Sequence, residues 1–80
     1  TSAGAELDLL LELPRRQRWA IEIKRSSAPA VGKGFHLAAD DVKATRRFVV
    51  HSGKESFPLG EQVQASTLPD LQQSLIALHH

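Results

Sequence analysis

The segment Glu6-Leu7-Asp8-Leu9-Leu10-Leu11-Glu12-Leu13 decides how this chain folds. Leu7, Leu9, Leu11 and Leu13 occupy every second position, with Glu6, Asp8, Leu10 and Glu12 between them. That is the two-residue period of a β-strand. Leucine's helix propensity argues the other way, and the next residues overrule it. Pro14-Arg15-Arg16-Gln17 breaks the pattern, after which Arg18-Trp19-Ala20-Ile21-Glu22-Ile23-Lys24 alternates again, Trp19, Ile21 and Ile23 opposite Ala20, Glu22 and Lys24. Two alternating runs joined by a tight connection predict a hairpin over residues 6–13 and 18–24.

Outward from the hairpin, Ser26-Ser27-Ala28-Pro29 ends the second strand. Phe35, Ala38, Ala39 and Val42 then recur at i, i+3, i+4 and i+7, predicting a helix over residues 33–45. The run Arg46-Arg47-Phe48-Val49-Val50-His51 reads as a buried strand, so strand, helix and strand follow in the order of a right-handed βαβ crossover. Ser52-Gly53-Lys54 is a turn, and residues 55–59 and 62–65 are short strands flanking Gly60. Thr67 offers an N-cap with Asp70 three positions on, and a last helix runs to about residue 78 with Leu71, Leu75 and Leu78 on one face. The predicted class is α/β (α+β mixed), a mixed sheet with flanking helices.

Composition bounds this reading. Eighty residues make one domain, and an apolar share of 41% with 24% charged residues is that of a folded soluble piece. Ten Lys and Arg against nine Asp and Glu leave a net charge of +1, so any electrostatic partner has to be argued locally. The absence of Cys excludes disulfides and thiolate metal sites. The longest aliphatic run, Leu9-Leu10-Leu11, is far short of a membrane span, so no membrane partner and a cytoplasmic location are expected. With no Met, and a strand pattern starting soon after Thr1, the chain reads as a fragment of something longer. His79 and His80 read either as native residues or as a tag remnant, leaving residues 1–78 as the domain.

The chemistry lies on the second face of the hairpin. If Glu12 pairs with Arg18, then Leu10 faces Ala20, Asp8 faces Glu22 and Glu6 faces Lys24, with directly opposed Cβ atoms about 4.5–5.5 Å apart. Two carboxylates so placed repel unless a cation lies between them, and Mg²⁺ is commonly held by one or two carboxylates plus water. Lys24 points the same way, where its charge would meet a metal-bound water or a reacting phosphate. A solvated strand face with ordinary charge pairs accounts for the same residues. Arg15, Arg16, Arg18, Lys24, Arg25 and Lys33 concentrate basic charge around the hairpin and its exit, which suits a phosphate backbone and equally suits surface solubility. Gly32-Lys33-Gly34 suits a phosphate cradled at a helix N-terminus and equally the loop geometry that precedes a helix, and His36 and His51 have no second ligand at metal spacing and receive no role.

The order acid, hairpin, acid-x-Lys, helix, buried strand resembles the PD-(D/E)XK nuclease superfamily, with Asp8, Glu22 and Lys24 at the motif positions. The wider wording Gly4-Ala5-Glu6-Leu7-Asp8-Leu9, Trp19-Ala20-Ile21-Glu22-Ile23-Lys24-Arg25-Ser26, Lys33-Gly34-Phe35-His36 and Arg47-Phe48-Val49-Val50 looks like the C-terminal domain of bacterial and archaeal AAA+-type ATPases. That domain is one of unknown function, similar to Holliday-junction resolvases and restriction endonucleases. Leu7 stands where the superfamily often has Pro, and no glycine-rich phosphate loop occurs here.

The resemblance implies a restriction-endonuclease-like sheet truncated at the N-terminus, lacking a first helix and strand. It implies Asp8 and Glu22 as ligands of Mg²⁺ or Mn²⁺, Lys24 as the third catalytic residue and Glu6 in support. DNA as substrate, Arg15, Arg16, Arg25 and Lys33 as its contacts and an ATPase domain as neighbour follow. The other reading is a non-catalytic docking, nucleic-acid-binding or oligomerisation module on the same fold. A first strand that has lost its neighbour is expected to self-associate through its edge.

Overall fold

In the computed structural model, residues 7–27, 29–60 and 62–78 are described. The chain forms β1 (Leu9–Leu13), β2 (Gln17–Ile23), α1 (Lys33–Asp41), β3 (Arg46–Val50), β4 (Phe57–Leu59), β5 (Val63–Ser66) and α2 (Leu68–Leu78). One five-stranded sheet runs in the order β1-β2-β3-β5-β4, with β2, β3 and β5 parallel and the flanking pairs antiparallel. The sheet is therefore mixed, as the strand-helix-strand order requires.

From Leu9 to Leu13 the hairpin register is the one the alternation predicts, with Leu10 opposite Ala20 and Glu12 opposite Arg18, the last pair also joined by an ion pair at 3.2 Å; the expected pairing of Asp8 with Glu22 is not part of the ladder, which begins at Leu9. Its turn, Pro14 to Gln17, closes with Gln17 N–H donating to the Pro14 carbonyl at 3.4 Å. Arg15 and Arg16 both sit at positive φ, 63° and 60°, the left-handed pair whose twist matches a two-stranded ribbon.

Helices cover both faces of the sheet. On one face Phe35 and Ala39 of α1 pack against Ala20, Val49, Val63 and Ala65. On the other, Leu71, Leu75 and Leu78 of α2 pack with Trp19, Ile21 and Phe48, and Leu11 and Leu13 of β1 join them. Trp19 and Phe48 touch with ring centroids 5.0 Å apart. The Ala20 position, read from sequence as part of the hairpin's polar face, is fully buried because α1 lies over it.

Element ends depart from the predicted ones for local reasons. Strand β1 starts at Leu9, since the chain bends at Asp8, and Leu7 turns from the Leu9-Leu11-Leu13 side to pack with the α1 cluster. Helix α1 stops at Asp41, where Val42 caps it and Lys43 adopts φ 55°, the left-handed turn that ends many helices. Thr45 then enters β3, its N–H donating to the Arg18 carbonyl at 2.7 Å while its hydroxyl accepts the Arg18 N–H at 2.9 Å. Pro58 sits in β4, an edge strand, where its missing N–H costs no ladder bond. The Thr67 cap forms as predicted, its hydroxyl accepting the Asp70 N–H at 3.3 Å. No described helix is long and apolar enough to cross a membrane.

Candidate functional site

Strands β2, β3 and β5 all end at the same edge of the sheet, and the side chains with chemistry collect there. Open sheets with parallel strands place ligands at this carboxyl edge. Glu22 is the penultimate residue of β2 and pairs with Val49, which pairs with Ala65, which pairs with Phe57; these four form one row across the α1 side. Burial there leaves Glu22 only 7% exposed. Its Oε1 meets Lys24 Nζ at 3.5 Å, and its Oε2 is buried with no hydrogen-bond partner. A buried carboxylate oxygen without a partner is costly, so it asks for a function or an unseen ligand.

Asp8 reaches the same end from β1. Its Oδ2 accepts the Ile23 N–H at 2.8 Å, which fixes one carboxylate oxygen on the backbone directly beside Glu22. Lys24 is half-exposed and tied to β3 by its own N–H, which donates to the Val50 carbonyl at 2.8 Å. The structure thus assembles Asp8, Glu22 and Lys24 at one edge. Glu6 lies outside the described residues.

The basic residues divide into two groups. Arg25 and Lys33 lie at the carboxyl edge, in the exit of β2 and the start of α1. Arg15 and Arg16 occupy the hairpin tip, at the opposite end of β2. Glu22 lies six residue steps beyond Arg16, roughly 20 Å at the rise of a strand. One compact patch around the hairpin is not what the fold produces.

Among the described residues, no group of three or more His, Asp or Glu side chains is disposed to hold a metal ion. The fit to a divalent cation therefore rests on two carboxylates. That set suits Mg²⁺, which is usually bound by one or two carboxylates and completes its shell with water and substrate phosphate. It does not suit zinc, which takes three or four protein ligands.

The sequence reading gave His51 no role, and the structure makes it part of this edge. Its ring is 6% exposed, stacks at a tilt on Phe57 with centroids 5.5 Å apart, and accepts the Gly53 N–H on Nδ1 at 2.9 Å. Its Nε2 is buried without a partner. The signal in the sequence is the spacing His51-Ser52-Gly53: a Cβ at Gly53 would stand 2.9 Å from Nδ1, so only glycine lets the backbone approach the ring. His36, also left without a role, accepts from Arg47 at 2.7 Å on Nδ1, and Arg47 pairs with Asp40, so His36 serves to clamp β3 to α1.

Comparison with known proteins adds a family without a chemistry. An uncharacterized protein of Mycobacterium bovis and one of Mycobacterium tuberculosis are each 38% identical over 65 residues, covering 81% of this chain and 14% of their own length. The chain thus corresponds to a small part of the curated relatives it matches. No solved structure matches it. The family model described as "Domain of unknown function (DUF4143)" matches residues 1–71, and the chain belongs to that family.

Proposed function

We propose that this chain is a nuclease-like domain of the PD-(D/E)XK type, acting on DNA phosphodiesters with a divalent cation. The observation that carries the reading is Glu22: a buried carboxylate, one oxygen on Lys24 and the other without a partner, beside an Asp8 carboxylate anchored on the next residue's amide. Buried carboxylate oxygens are rarely left without a partner in folded proteins.

In this reading Asp8 and Glu22 hold Mg²⁺, with Mn²⁺ as the alternative, and Glu6 assists. When bound, the cation would supply charge neutralisation at the phosphate. Asp8 and Glu22 set where the phosphate approaches the sheet edge. Lys24 holds a positive charge beside Glu22, placed to orient a water or to balance charge developing on the phosphate oxygens. Arg25 and Lys33 stand at the same edge to meet the backbone on either side of that phosphate, and Arg15 and Arg16 would meet a more distant stretch of the same DNA.

The proposal extends to the parent chain. The curated relatives run far beyond the matched segment, which leaves room for an AAA+-type ATPase domain in the same polypeptide, in the cytoplasm. Exposed edge strand β1 would also let two copies pair.

Calorimetric titration of the chain with Mg²⁺ and then Mn²⁺ tests the site. Binding at millimolar concentration or tighter is expected, lost in Asp8→Ala and in Glu22→Ala. An intact domain that takes up neither ion sinks the proposal. Cleavage of DNA is then assayed on the full-length parent.

A further inference from the structure

Next to the carboxyl edge lies a cavity of about 350 Å³ lined by Ser27, His51, Gly53, Lys54, Glu55 and Phe57. Its size falls at the lower end of the roughly 300–1,000 Å³ of small-ligand sites. Two flat rings meet in its wall, those of His51 and Phe57, and Phe57 is 37% exposed although it belongs to the sheet. The polar groups are donors and an acceptor: the Ser27 hydroxyl, the Lys54 ammonium and the Glu55 carboxylate.

The Gly53 N–H donates to His51 Nδ1 at 2.9 Å and holds that ring in the wall beside Phe57. Phe57 shares the cross-sheet row of Glu22, three strand spacings away, or roughly 14 Å. One bound strand of nucleic acid spans that distance.

We infer that this cavity takes a nucleobase, seated against the exposed Phe57 ring, with Ser27, Lys54 and Glu55 lining the same hollow. The inference rests on the nucleic-acid reading of the edge and adds to it a recognition site away from the phosphate. Stacking on aromatic rings accepts any base, so the site would grip a single strand without reading its sequence. Its occupant could come from a DNA strand or from a free nucleotide, and the base is common to both.

The test is fluorescence titration of the 80-residue chain, in EDTA, with a short single-stranded DNA carrying one 2-aminopurine and, in parallel, with free 2-aminopurine riboside. Saturable quenching by the oligonucleotide is expected, weakened about tenfold or more in Phe57→Leu, a half-exposed position where the fold tolerates change. Comparable quenching by the free nucleoside would keep the base site and overturn the strand as its source. The absence of saturable quenching with both probes, or equal affinity in Phe57→Leu, overturns the inference. Asp8→Ala and Glu22→Ala separate it from the nuclease reading, because both should still quench. A chain that binds the base but no Mg²⁺ sinks the nuclease alone, and one that cleaves DNA without quenching sinks the cavity alone.

Discussion

The carboxylate of Asp8 accepts the backbone N–H of Ile23 at 2.8 Å, so a side chain, and not a strand, makes the last link between the start of β1 and the end of β2. The same bond ends the ladder and holds an acid on the residue next to Glu22. Structure and chemistry are therefore separable at this residue. Asp8→Asn keeps a carbonyl acceptor for Ile23 and should cost well under 1 kcal/mol, whereas Asp8→Ala loses the bond and should cost about 0.5–1.5 kcal/mol. Both should lose divalent-cation binding. Urea denaturation beside calorimetry checks the pair; an Asn variant that still binds Mg²⁺ normally would remove Asp8 from the site.

Glu22 makes a different prediction. Burying a charge with only one partner taxes the fold, and the Lys24 left behind by a neutral replacement is half-exposed and keeps its water, so no buried charge is stranded. Glu22→Gln should therefore fold with a urea midpoint equal to or above that of the parent, while its heat of Mg²⁺ binding disappears. A large loss of stability would mark Glu22 as a structural residue.

At Gly53 the backbone leaves no room. An added Cβ would stand 2.9 Å from His51 Nδ1, 3.0 Å from its Cε1 and 3.5 Å from the Ser27 carbonyl. Gly53→Ala should destabilise by about 1–3 kcal/mol as the ring is forced aside. The imidazole signals of His51 in the NMR spectrum should shift with it, and an unmoved ring would show that the loop gives way instead.

Strand β1 has no neighbour on its outer side among the described residues, and Leu9 is exposed there. Sedimentation equilibrium should detect species heavier than the monomer. Leu9→Lys, a charge on the edge, should return the chain to monomer. A parent that is already monodisperse would count against edge pairing.

Much of this fold was legible because its strands alternate and its first helix carries a clean apolar stripe. The hairpin register, the strand-helix-strand order and the Thr67 cap all follow from residue types at fixed spacings. What was not legible depends on contacts distant in sequence. The bend at Asp8 that sends Leu7 to the other face requires the Ile23 amide as a partner. The early end of α1 requires Lys43 in a left-handed conformation, which a lysine does not announce. Three residues of the candidate site could be picked out because carboxylates and a lysine on a strand face are conspicuous. His51 could not, since its burial comes from Phe57 and Gly53 in a later loop and strand.

Arg46 and Arg47 are consecutive in β3 and face opposite ways. Arg46 lies over the rings of Trp19 and Phe48, 4.9 Å and 4.7 Å from their centroids, while Arg47 is held by His36 and Asp40 of α1. Each guanidinium has a site only on its own side. If β3 slid by one residue against β2, Arg46 would arrive beneath α1 and Arg47 above the indole, and every apolar residue of the strand would change sides with them. The doubled arginine thus works as a key that fits one alignment of the central strand, and that alignment is what brings Val49 beside Glu22 and sets His51 just past the carboxyl edge.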